Sequence, residues 1–244
     1  MATAKVSFAA HIEGLELEQV DVGSSYPSVE KISLRTENED KLAIDFELMD
    51  IFSTKDAMSV VGQLIGPLIN KVSYEFDIPI GEPRCIGMSL PTDSSDSRHV
   101  LSGELILMND LLSGTLKPNK NRREKLRCTL ECLIAETDLH LSLYRFALGQ
   151  KNVMARYMSL YHLLLLIAGD NQNRVDSAIQ AVEPHVTKTL SPQKKGQYET
   201  IYTRLRNEIG HIRPGKTLEK TRKEIEENVD GLRAIVKKLI AKIM

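Results

Sequence analysis

A chain of 244 residues, 42% hydrophobic and 27% charged, can bury one large core or two ordinary ones. Its first residues, MATAKVSFAAHIEG, hold no apolar signal-type core, and its longest apolar run, Leu163 to Ala168, is too short to span a bilayer; a soluble, cytoplasmic protein with no membrane contact is expected. The net charge of −1 conceals a division, with 8 Lys and Arg against 19 Asp and Glu through Leu116, and 24 against 14 from Lys117 onward.

In chain order, the first half reads as strands around one helix. Lys41 to Leu48 alternates Leu42, Ile44, Phe46 and Leu48 with Lys41, Ala43, Asp45 and Glu47, the period of a half-buried strand. Lys5 to Ile12, Leu15 to Val22 and Val29 to Arg35 are weaker strand patterns. Thr54 caps a predicted helix with Val60, Val61, Leu64 and Ile65 inward, ending near Pro67. Its Gly62 and Gly66 have the spacing of close helix packing. Val72 to Ile78, Pro83 to Leu90 and Arg98 to Met108 return to strand pattern, so residues 1–116 are expected to form an α+β domain of unassigned role.

Around Asn109 to Asn121 the composition turns to Gly, Pro, Asn and Lys, and a boundary is expected there. Residues 117–244 then read as an all-α helical bundle. Leu126, Leu130, Leu133, Thr137, Leu141, Tyr144 and Leu148 mark one long helix ending at Gly149. Asn152 caps a second, nearly apolar all round, whose His162 reads as a hydrogen-bonded core histidine or as a support for catalysis. A third runs from Gln172 to Glu183, and the loop Thr187 to Gly196, with Lys188, Lys194 and Lys195, leads into a fourth. The last begins at Thr217, with a seam of Leu218, Ile225, Val229, Leu232, Val236, Leu239 and Ile243 for the bundle or for a second protomer. Cys85, Cys128 and Cys132 form neither a disulfide framework nor a ligand set, and buried thiols are expected.

The fourth helix carries the chemistry. In YETIYTRLRNEIGHIRPG, Tyr198, Ile201, Tyr202, Leu205 and Ile209 mark a buried face, leaving Arg204, Arg206, Asn207, Glu208 and His211 off it, with Gly210 and Pro214-Gly215 ending the helix. A planar Arg fork can hold two phosphate oxygens, and a His near neutral pH can take or give a proton. A basic half with such a pair suits RNA, although halves of opposite sign also attract each other across a domain interface. No H-E-x-x-H or Cys/His cluster points to a metal, no G-x-x-x-x-G-K-[ST] to a nucleotide-binding loop and no G-x-S-x-G to a hydrolase elbow; no cofactor is expected.

Arg206, Asn207 and His211 together resemble the R-N-x-x-x-H signature of the HEPN superfamily, the higher eukaryotes and prokaryotes nucleotide-binding domain. The stretch TRLRNEIGHIRPG before a long amphipathic terminal helix is most similar to the abortive-infection type of HEPN domain and to the MauJ-like proteins of methylamine utilisation. The resemblance covers Arg122 to Met244. It implies a compact helical bundle acting as a metal-independent endoribonuclease in defence or stress, with Arg206, Asn207 and His211 catalytic. It also implies a homodimer that joins two signatures near His211. The family also contains catalytically silent modules that bind a partner protein or nucleic acid, which is the alternative reading.

Overall fold

The computed structural model describes residues 3–38, 40–90, 116–131, 139–192, 196–211 and 217–244. The chain divides into two compact units, 1–145 and 146–244.

In the first unit, β1 (Thr3–His11), β2 (Val20–Gly23), β3 (Val29–Glu37), β4 (Lys41–Met49) and β5 (Arg84–Ser89) form an antiparallel sheet in the order β2-β3-β4-β1-β5. The period-two pattern of β4 sets its face: Ile44 lies opposite Leu34 and Phe8, and Phe46 opposite Ile32 and Val6, all buried. Helix α1 (Thr54–Phe76) contributes Val61, Leu64, Leu68, Val72 and Phe76 to the same core. The expected end at Pro67 and strand at Val72 to Ile78 are therefore corrected. Val72 and Phe76 continue the four-residue spacing, and Pro67 removes only its own N–H from the ladder, leaving a carbonyl on exposed Gln63 that water can satisfy. The helix stops where Asp77 takes a left-handed conformation, φ 63°. Its cap is Ser53 rather than Thr54, the Ser53 hydroxyl accepting from Asp56 N at 3.1 Å. A Cβ at Gly62 or Gly66 would meet open space, so neither glycine serves close packing.

Of the expected strand Leu15 to Val22 only β2 forms. Leu15 and Leu17 are buried in irregular chain, Leu17 exchanging bonds with Thr36. The strand expected over Arg98 to Met108 lies outside the described residues. The change of composition at Asn109 to Asn121 does not coincide with the division into units. Leu126 and Leu130 of α2 (Lys120–Glu131) belong to the core of the sheet. In α3 (Leu139–Leu148), Arg145 donates to Asn70 Oδ1 at 2.7 Å, Ile80 O at 3.0 Å and Glu82 Oε1 at 2.9 Å. Cys85 on edge strand β5 and Cys128 on α2 are exposed, which corrects the buried-thiol reading; Cys132 lies outside the described residues.

The second unit is mostly helical: α4 (Val153–Ile167), α5 (Gln172–Val182), α6 (Ile201–Gly210) and α7 (Leu218–Ile243). Asn152 caps α4 through bonds from Met154 N and Ala155 N, and α4 packs along α7. The expected all-helical order is interrupted by a short hairpin, β6 (Lys188–Leu190) with β7 (Tyr198–Thr200), pinned to α6 by Ile201 N on Thr187 O at 2.8 Å. His162 is exposed, not a core histidine; it shares the outer stripe of α4 with Leu166, one turn on, while Leu160, Tyr161, Leu163 and Leu164 face inward. The α7 seam is buried from Ile225 to Leu239, whereas Leu218 and Ile243 at its ends are exposed. No helix among the described residues is long and apolar enough to cross a membrane.

Candidate functional site

Helix α6 is short, and its two ends differ. At its start, the Thr200 hydroxyl caps Thr203 N, and Asp176 of α5 gathers the same turn. Asp176 Oδ1 accepts from Thr200 N at 3.0 Å, Thr200 Oγ1 at 2.7 Å and Thr203 Oγ1 at 2.7 Å. Since Thr203 spends its proton on Asp176, it accepts from the Tyr161 hydroxyl at 2.8 Å. Burial pushes that phenol up to about 12, against the lowering effect of the Thr203 bond.

The helix middle corrects the expected face. Arg204, Asn207 and Glu208 are buried together with Tyr202 and Leu205, and Tyr198 is exposed on β7, outside the helix. Where solvent was expected, neighbouring elements supply partners: α7 to Arg204 and Glu208, and β7 to Asn207. Arg204 donates to Glu208 Oε1 at 2.8 Å and to Glu224, and Thr221 donates to Glu208 Oε2 at 3.1 Å. Burial disfavours the Arg204 charge, yet the Glu224 and Glu208 carboxylates outweigh it and raise the pKa above the ordinary guanidinium value.

The signature residues fall into three environments. Asn207 is buried and its amide is occupied at both ends: Nδ2 donates to Glu199 Oε2 at 3.1 Å, and Oδ1 accepts from Arg206 Nη1 at 3.0 Å. Arg206 is half-buried, with its guanidinium carbon 5.7 Å from the centre of the Tyr161 ring. His211 is exposed at the carboxyl end of α6, in extended conformation, its N–H bonded to Asn207 O at 2.9 Å. The structure thus brings Arg206 and Asn207 together by side chains. His211 is tied to them through the backbone alone among the described residues.

Sequence reasoning missed Glu199, Tyr161, Asp176 and the Thr200–Thr203 pair. Thr200 carried a legible signal, a hydroxyl residue directly before the helical run. Tyr161 and Asp176 read as ordinary members of other helices, because their connection to α6 exists only in the fold. The described residues include no group of His, Cys, Asp and Glu arranged to hold a metal ion. Compared with family models, with curated proteins and with solved structures, the chain matches none.

Proposed function

We propose that the second half of this chain is a HEPN-like, metal-independent endoribonuclease in which Arg206 binds the scissile phosphate and His211 moves protons. The observation that carries the reading is the contrast at the carboxyl end of α6. Arg206 is held by Asn207 Oδ1 and the Tyr161 ring while remaining half-exposed, and His211 stands open to solvent. The two stand five positions apart, about 7.5 Å of axial rise and about 140° around the helix, so an RNA strand meets both by passing around the helix end.

In the reaction, a base takes the proton of the ribose 2′-hydroxyl, and the oxygen attacks its own phosphorus. The bond from phosphorus to the 5′-oxygen breaks, and an acid returns a proton to that leaving oxygen. The products are a 2′,3′-cyclic phosphate and a 5′-hydroxyl. Arg206 offsets the charge that accumulates on the phosphoryl oxygens, and Asn207 positions the guanidinium rather than touching RNA. One chain supplies one signature histidine, so a second protomer related by a two-fold axis supplies the other proton carrier.

The test is total RNA incubated in EDTA with the protein and with His211→Ala. Wild type should cleave and the variant should lose about a hundredfold or more. A specific observation favours a second reading, the catalytically silent binding module: the Asn207 amide is consumed between Glu199 and Arg206. Under that reading neither protein cleaves.

A further inference from the structure

The opposite end of α6 carries a second polar feature. An open pocket of about 240 Å³ is lined by Asn173, Asp176, Ser177, Gln180, Gln197 and Tyr198 of α5 and the segment entering β7. Sites that bury drug-sized ligands run to roughly 300–1,000 Å³, so this one suits a group no larger than one small ring system.

Its walls specify the chemistry. Asp176 is 6% exposed and, among the described residues, receives three hydrogen bonds, all on Oδ1, which leaves Oδ2 as the acceptor it offers the pocket. Gln180 offers the complement. Its Oε1 accepts from Lys188 Nζ at 2.8 Å, so Nε2 is the end of the amide that can donate to a ligand. Tyr198, 63% exposed, adds an aromatic ring to the lining.

A phosphate or carboxylate has acceptors only and is repelled by Asp176. An arginine or lysine side chain has donors only and cannot answer Gln180. An aliphatic group would desolvate the Asp176 carboxylate and return no hydrogen bond. A nucleobase is flat and carries donors and acceptors on one edge.

We propose that this pocket is a guanine-binding subsite. Of the four RNA bases, guanine alone sets two N–H donors side by side, on N1 and on the 2-amino group, so the one oxygen offered, Asp176 Oδ2, can accept from both at once, where any other base brings it a single donor. Adenine and cytosine place a ring-nitrogen lone pair beside their amino group, and uracil flanks its N–H with two carbonyls. Guanine O6, next to N1, then accepts from Gln180 Nε2 while Tyr198 stacks on the ring. The subsite draws on the ribonuclease reading for one thing only, that the ligand is RNA. Ten residues of α6 place it about 15 Å along the axis from His211, so the guanine read there is not at the broken bond but further along the strand.

Calorimetric titration of the whole protein with guanosine, inosine, adenosine, cytidine and uridine tests this without requiring cleavage. Guanosine should bind at one site. Inosine, which lacks the 2-amino group, and the other three should bind about tenfold more weakly or worse. Tyr198→Ala and Gln180→Ala should each weaken guanosine by about tenfold, with circular dichroism unchanged. Guanosine that fails to bind, that binds no better than adenosine, or that ignores both substitutions overturns the subsite. The two proposals fail separately: guanosine binding by a protein that never cuts RNA removes the ribonuclease and keeps the pocket, and cleavage without guanosine binding does the reverse.

Discussion

Asn207 lies in the last turn of α6 and His211 caps its carboxyl end, yet their substitutions should separate cleanly. His211 is exposed, so His211→Ala should leave the thermal midpoint unchanged while cleavage is lost. Asn207→Ala removes a buried amide that bonds both Glu199 and Arg206, and should cost about 1–3 kcal/mol in denaturant unfolding. A variant pair in which His211→Ala unfolds and Asn207→Ala does not would reverse these assignments. Among acids, Asp45 of β4 is the informative one. Burial works to raise its pKa, but bonds from Ser7 at 2.5 Å and Arg35 at 2.8 Å, with the Lys5 charge, hold it below the ordinary 3.8. A depressed carboxylate contributes stability above its unfolded pKa and loses it as pH falls through the lower folded value. The Asp45→Asn protein should therefore show a flatter decline of stability below about pH 4 than wild type, read from thermal midpoints across the acid range.

At the scale of elements, α6 is fastened to α7 by charge and to α4 and α5 by hydroxyls. Glu208 accepts from both Arg204 and Thr221, so Glu208→Ala leaves a buried guanidinium with one carboxylate partner, and should destabilise by about 3 kcal/mol. The exposed pair Arg222–Glu226 on α7 has the same helical spacing, and Arg222→Ala should cost no more than about 0.5 kcal/mol. Equal effects in urea unfolding would show that burial is not what distinguishes the two pairs. Gly231 of α7 exists for a close approach. A Cβ there would stand 2.5 Å from the Tyr202 hydroxyl, which donates to Glu183 at 2.9 Å. Gly231→Ala should displace that ring and cost about 1–3 kcal/mol, with Tyr202→Phe, Gly231→Ala recovering part of the loss.

For the whole molecule, the proposed chemistry demands assembly. One signature per chain supplies one histidine, so the protein should sediment as a dimer at the concentrations where it cuts RNA. The cut ends should be 2′,3′-cyclic phosphates, and an RNA with a 2′-deoxy sugar at the cut should resist, because the internal hydroxyl is the nucleophile. A monomer that cleaves, or equal cutting of the 2′-deoxy strand, contradicts the mechanism. The lysine and arginine excess from Lys117 onward should make RNA binding fall steeply with salt.

Local patterns were sufficient for β4, for the starts of α4 and α7 and for the buried seam of α7. The alternation of Lys41 to Leu48 named β4 and its buried residues; Asn152 and Thr217 named the starts of α4 and α7; the α7 seam named Ile225 through Leu239 as buried. Each of those signals lies within one element, where side-chain period and backbone capping operate. The tertiary structure alone decided what a polar residue meets. Arg204, Asn207 and Glu208 looked solvent-facing because they lie off the apolar stripe, but Glu224 and Thr221 on α7 and Glu199 on β7 complete their bonds and so permit burial. Pro67 and the strand-like alternation of Val72 to Ile78 argued locally against a helix, and packing of Leu68, Val72 and Phe76 into one core outweighed both. Burial and hydrogen-bond satisfaction depend on residues distant in sequence, and no periodicity within a segment records who those neighbours are.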